Sequence, residues 1–188
     1  SVFSTATDGR PIGGASILVR EEVPHGFISL STPLQAVAVQ VHLHRLVTVC
    51  SIYIPPSSPC SSSDLENLWS QLPQPALLLG DFNAHSELWG CERTLRDAIS
   101  IESFIGNNDL AIMNGRSPTY IHPGNGSFSS IDLSLCSPAL YMDFTWEVAG
   151  DQFGSDHFPI CLSLEKFSNE SLPRWHLHRA HWDLFQSL

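Results

Sequence analysis

Residues 77–90 read LLLGDFNAHSELWG. The run Ala76 to Leu79 is short and wholly apolar, the pattern of a strand covered on both faces. Asp81 and Asn83 stand where that run gives out. In a strand, positions i and i+2 point to the same side. If the extended geometry persists, a carboxylate and an amide share one patch at a strand's carboxyl end, where ligands of α/β sheets commonly bind. Gly, Asp and Asn are also turn formers, so the stretch taken alone allows a turn equally well.

Working outward, Gly13 to Arg20 (GGASILVR) reads as a strand after a Gly turn. Ala36 to Leu43 alternates and is β-branched, and Leu46 to Tyr53 follows a tight His44-Arg45 connection, so the two predict a hairpin. Ser63-Asp64-Leu65-Glu66 has the spacing of a capping box, opening a helix that Pro73 stops. Thr94 to Asp97 has the spacing of a second cap, ahead of LRDAISIESFIG. LAIMN, SSIDLSLCS, FTWEVAG and FPICLSL complete about eight strands, with two helices between them and no internal repeat. The pattern predicts an α/β fold of layered sheets with helices outside them. One domain spans 1–166. Residues 167–188 read as a linker, or as a short helix from Ala180 to Leu188 docked on the domain.

Three further places carry chemistry. In Gly154-Ser155-Asp156-His157 a carboxylate and an imidazole enter a strand from a turn, where neighbouring residues face opposite ways. Asp132 interrupts the apolar strand SSIDLSLCS, where a charge is costly unless paired. His157 is its natural partner, and such a pair fixes the imidazole tautomer and favours its charged form. Tyr53 places a phenol at a strand end, a weaker signal that core packing also explains. Together these residues suit metal-assisted phosphodiester hydrolysis, with carboxylates holding Mg²⁺ (or Mn²⁺), a buried Asp directing water, and a cationic His facing the charged transition state.

Composition narrows the field. The 188 residues are 43% hydrophobic and 15% charged, enough for a sizeable core. The net charge of −10 argues against a broad basic surface for nucleic acid, while an acidic site loaded with cations stays compatible with it. Cys50, Cys60, Cys91, Cys136 and Cys161 lack C-x-x-C spacing and read as buried reduced thiols. His42/His44 and His176/His178 have no Cys nearby, so zinc is not indicated. No apolar run reaches the roughly 18 residues of a membrane span. The first residues show no signal peptide, and the start at Ser1 reads as belonging to a longer or processed polypeptide.

The motifs VCSIYIPP, LLLGDFNAHSELWG, SSIDLSL and GSDHFPI resemble the endonuclease/exonuclease/phosphatase superfamily, the fold of deoxyribonuclease I and the apurinic/apyrimidinic endonucleases. With RPIGGASILVREEVPH and PRWHLHRAHWDLF, they are most similar to the endonuclease domain of non-LTR retrotransposons of the jockey-like group of arthropods. That resemblance implies a two-sheet α/β sandwich. It implies a Mg²⁺-dependent DNA-nicking activity, DNA as substrate, a reverse transcriptase module in the parent polyprotein, and an intracellular, nuclear place of action. By motif, Asp81 positions or activates water or assists the leaving group, and Asn83 and Tyr53 lie at the phosphate. Asp132 orients His157, Asp156 is a metal ligand, and Ser127 stands near the DNA. The family opens with a strand, a helix and a strand ending in Gln-Glu, whose Glu is a main metal ligand. No Gln-Glu pair occurs in this sequence, so the fold is expected to lack that first strand-helix-strand. A non-catalytic relic of a retroelement and a phosphoesterase acting on another substrate are the alternatives.

Overall fold

The computed structural model describes residues 1–5, 13–56 and 60–165. The proposed linker at 167–188 lies outside them. Twelve strands and two α-helices follow in order: β1 (Val2–Ser4), β2 (Ser16–Leu18), β3 (His25–Ile28), β4 (Gln35–His42), β5 (Leu46–Tyr53), α1 (Ser62–Ser70), β6 (Ala76–Asp81), α2 (Ile99–Asn107), β7 (Ala111–Ile112), β8 (Tyr120–Ile121), β9 (Phe128–Ser129), β10 (Asp132–Cys136), β11 (Phe144–Val148) and β12 (Ile160–Leu164). The expected eight strands are all present. The additional ones, β1, β3, β8 and β9, have at most four residues each, too short to carry a readable alternation.

A six-stranded sheet in the order β3-β4-β5-β6-β10-β7 forms the centre. The β4–β5 hairpin pairs antiparallel as expected, while β5 and β6 run parallel with α1 as their crossover. The period-2 alternation assigns the two faces. Ala38, Cys50, Ile52, Leu78, Leu133 and Leu135 face the helices, meeting Leu65, Leu68 and Trp69 of α1 and Ile101, Phe104 and Ile105 of α2. Trp69 and Phe104 meet edge to face across the helix pair, their centroids 6.4 Å apart. Each fully buried side chain of this kind contributes roughly 1.5–3 kcal/mol.

The opposite face carries Val39, Val41, Val47, Leu77 and Cys136. Its cover comes as two separate hairpins, β1–β2 with Phe3 and Ile17, and β11–β12 with Phe144, Trp146 and Leu162. Val49 and Leu79, in the middle strands of that face, remain half-exposed. Among the described residues, the second layer of the sandwich is therefore discontinuous.

The helix caps differ from the sequence reading. Ser61, two residues earlier than expected, is the N-cap of α1: its Oγ accepts from the Asp64 N–H (3.1 Å) and Asp64 Oδ2 accepts from the Ser61 N–H (3.2 Å). The capping box is thus Ser61 with Asp64, because an Asp at the third helical position closes the reciprocal bond. Ser61→Ala is expected to lower stability by about 1 kcal/mol and Ser63→Ala by less than about 0.5 kcal/mol, read as shifts in the urea midpoint. At α2, Thr94 is not the cap. A 3₁₀ turn, Arg96–Ala98, leads in without a side-chain bond, and Thr94 Oγ1 accepts instead from the Glu87 N–H. The cysteines are free: Cys50 and Cys136 are buried as expected, Cys60 and Cys91 are half-buried, and Cys161 is exposed on the outer side of β12. Burial pushes the thiols of Cys50 up to about 12 and of Cys60 and Cys136 to about 11, so all three stay neutral at physiological pH.

Candidate active site

One register position across the sheet builds the site. Tyr53 of β5 pairs with Asp81 of β6, and Asp81 pairs with Asp132 of β10. Paired residues point to the same face, so the three side chains form a row on the hairpin-covered side. β6 runs two residues further than its apolar core suggested, to Asp81, so the carboxylate stands on regular strand.

Asn83 does not continue that strand. Its φ is +46°, and the chain folds back. The Asn83 N–H donates to Asp81 Oδ1 (2.9 Å), and Nδ2 donates both to Asp81 Oδ2 (2.7 Å) and to the Ile54 carbonyl (3.0 Å). The turn and the shared patch, alternatives in the sequence, are both realised. The Asx turn brings the amide onto the carboxylate, which extended geometry would have kept apart.

Asp132 meets His157 as expected: Nδ1 lies 2.9 Å from Oδ2 and 3.1 Å from Oδ1. A carboxylate only accepts, so Nδ1 carries the donated hydrogen and Nε2 is left for the site. The bond to Asp132 raises the His157 pKa above the ordinary 6.5, with the charges of Asp132, Asp81 and Asp156 adding and partial burial opposing. Burial pushes the Asp81 carboxyl up to about 6; the Asp132 charge adds, while the bonds from Asn83 and the proximity of His157 lower it.

Ligand atoms of Asp81, Asp132 and His157 all fall within 4.8 Å of one another. Asp156 lies outside that group. It is exposed, and its backbone carbonyl accepts from the Ile121 N–H (2.8 Å). Ser127 sits at the β8–β9 turn, where its hydroxyl donates to Asn125 Oδ1 (2.8 Å) and it lines a cleft with His85, Arg93 and Phe128.

Three residues absent from the sequence reading hold the row in place. The buried Thr119 hydroxyl accepts from the N–H groups of Ile131 and Asp132 (3.2 and 3.1 Å). Asn114 Nδ2 donates to the Asp132 carbonyl (2.8 Å), and its Oδ1 accepts from the Ser134 N–H (2.8 Å). The Tyr120 ring packs on His157 with centroids 4.8 Å apart. Asn114 carried a signal, a lone amide ending the apolar run LAIM much as Asp81 ends LLLG. Thr119 and Tyr120 carried none.

Two opposed carboxylates repel, and an oxygen-donor pair of this kind fits a hard divalent cation whose charge would relieve that repulsion. In metal-free solution the sign of the pH effect follows from the raised values. Asp81 and His157 both hold protons more tightly folded than unfolded. Their contribution to stability is full below the unfolded values and is lost as pH rises through the folded ones. For Asp81 that window runs from 3.8 to about 6. For His157 it opens near 6.5 and extends above it. The stability of the wild type relative to Asp81→Asn is therefore expected to fall as pH rises from about 4 to about 7, read by urea denaturation in EDTA. A flat difference would contradict the burial of Asp81 as a destabilised carboxylate.

Among solved structures, the endonuclease domain of TRAS1, a telomere-specific non-LTR retrotransposon, superposes with a TM-score of 0.74 at 23% identity, over 88% of this chain and 80% of that one. The 3′ phosphatase NExo from Neisseria, bound to a product DNA hairpin, superposes with a TM-score of 0.52 at 18% identity, over 78% of this chain and 72% of that one. The domain thus shares its fold with these two proteins. The family model described as endonuclease-reverse transcriptase matches residues 47–161. The chain belongs to this family. It is 25% identical over 99% of its length to a probable RNA-directed DNA polymerase from transposon X-element of Drosophila melanogaster. It is also 25% identical over 88% of its length to the RNA-directed DNA polymerase from mobile element jockey of Drosophila funebris. It spans 21% and 18% of those two relatives. Among the described residues, no helix is long and apolar enough to cross a membrane.

Proposed function

We propose that this domain hydrolyses a phosphodiester bond in DNA, nicking one strand in the nucleus as the first step of inserting an element whose reverse transcriptase lies elsewhere in the parent polyprotein. The observation that carries the reading is the Asp132–His157 pair set in register beside Asp81. His157, whose protonated form Asp132 favours, presents Nε2 to the phosphate and stabilises charge that develops in the transition state. Asp81, at the end of β6 beside that pair, orients or deprotonates the attacking water or assists the leaving oxygen. Asn83 holds Asp81 in place, and reaching the phosphate costs it one of its two Nδ2 bonds. Tyr53 borders the phosphate from β5, and Ser127 contacts DNA from the β8–β9 turn. Asp156, with Asp81 beside the site, would hold Mg²⁺ or Mn²⁺, which supplies polarisation of a phosphoryl oxygen and charge for the leaving group.

The test is conversion of supercoiled plasmid to the open circle by the purified chain with Mg²⁺ or Mn²⁺, abolished by EDTA. Cleavage of small phosphoesters without plasmid nicking would move the reading to another phosphoesterase. Asp156 lies outside the group of ligand atoms that Asp81, Asp132 and His157 form, which favours a second, non-catalytic reading. A cooperative melt together with no heat of Mg²⁺ binding in calorimetry would establish that one instead.

A further inference from the structure

We propose that Gly13 is a positioning residue, the backbone wall that sets the ring of Tyr53 beside Asp81; its consequence for catalysis rests on the function proposed above. Gly13 precedes β2 and is tied to β1 through the next residues. The Thr5 N–H donates to the Ala15 carbonyl (3.0 Å), and the Ala15 N–H donates to Thr5 Oγ1 (3.2 Å). Gly13 has a φ of +82°, the left-handed region that favours glycine. A Cβ at this position would stand 2.2 Å from Tyr53 Cε1 and 2.8 Å from Cδ1 and Cζ. The Gly13 backbone therefore lies directly against one edge of the phenol ring, at an approach that any side chain would prevent.

This contact has a reason to exist at this place. Tyr53 is the last residue of β5 and only half-buried, so the core does not hold its ring as it holds the fully buried Phe104. Its cross-strand partners are Gln35 on one side and Asp81 on the other. A ring displaced away from Gly13 changes its place relative to the Asp81–Asp132 row. Misplacement of a substrate-facing group by about 1 Å can cost about 10²-fold in rate. Gly13 touches no reacting atom and acts through Tyr53.

The chain has three tyrosines, Tyr53, Tyr120 and Tyr141, so ring-labelled tyrosine NMR resolves the effect residue by residue, with Tyr53→Phe for assignment. In Gly13→Ala the Tyr53 ring signals are expected to shift while those of Tyr120 and Tyr141 stay in place. With plasmid and Mg²⁺, kcat is expected to fall by about 10- to 100-fold with KM changed by less than about threefold. In a Tyr53→Leu background the same Gly13→Ala change is expected to cost no further kcat. Unmoved Tyr53 signals in a folded Gly13→Ala chain, or an equal further loss in the Tyr53→Leu background, would overturn the proposal. If Gly13→Ala fails to fold, Gly13→Asn, whose side chain tolerates a left-handed φ, takes its place, and adding Tyr53→Ala to it should restore a cooperative melt, since that removes the ring that the new Cβ strikes. Failure of that rescue also overturns it. A wild type that nicks no plasmid removes the proposed function alone, and the ring signals and the rescue still decide where Gly13 acts.

Discussion

Replacing His157 by Ala is expected to lower the rate of plasmid nicking by about 10²–10³-fold and stability at neutral pH by only about 1–2 kcal/mol, the cost of leaving Asp132 without its partner. The ring is partly exposed, so its loss opens no cavity in the core, and it packs chiefly on Tyr120. What disappears, on the function proposed above, is the ring that presents Nε2 to the phosphate. Asp132→Asn tests the same unit from behind. It keeps the side chain's size but removes the charge that fixes Nδ1 as a donor and raises the imidazole pKa. Its nicking rate is expected to fall by a similar factor, with the alkaline limb of the pH profile moving toward lower pH. The double variant should be no slower than His157→Ala by more than about threefold, because the two side chains act as one device. Fully multiplicative losses would show that Asp132 works independently of His157, most directly by holding metal.

Gly80→Ala is expected to be the most damaging single change in the sheet, on the order of 3 kcal/mol or more, or a chain that does not fold. Gly80 pairs with Ile52 of β5 and Leu133 of β10 at a φ of +152°. A Cβ there would lie 1.8 Å from the Ile52 carbonyl oxygen, which belongs to backbone and has nowhere to go. The strands would have to separate immediately before Asp81, breaking the register that sets it against Tyr53 and Asp132. Gly106→Ala is the contrast. It lies on the exposed side of α2 with nothing within 4 Å of the added atom, and it should raise stability by roughly 0.5–1 kcal/mol. Urea denaturation followed by far-UV circular dichroism reads both changes. A Gly80→Ala chain with wild-type stability would contradict the close approach of β5 and β6.

The site was legible wherever a polar residue broke an apolar run. Asp81 after LLLG, Asp132 inside SSIDLSLC and His157 ahead of FPICLSL each violate a pattern that core packing alone would keep. The paired charge of Asp132 followed from the cost of burying it, and the structure supplies His157 as that partner. Gly13, Thr119 and Tyr120 violate nothing in sequence. A glycine or a threonine just before a strand and a tyrosine at a strand's start are ordinary there, and their importance comes from atoms more than ten residues away. The caps failed for a local reason. Ser61, Ser62 and Ser63 offer the same hydroxyl, and only the closing bond from Asp64 selects among them.

The α/β class, the main strands and the three carriers of chemistry could be read from the order of residues, because hydrophobic period and its interruptions are properties of neighbours along the chain. Folding in three dimensions was needed to place Tyr53, Asp81 and Asp132 in one cross-strand row on the hairpin side. It was needed as well to fold Asn83 back onto Asp81 and to bring a glycine's backbone against the Tyr53 ring. Register, turn closure and close approach are set by which strands lie side by side, and a one-residue slip would send the same side chains to the other face.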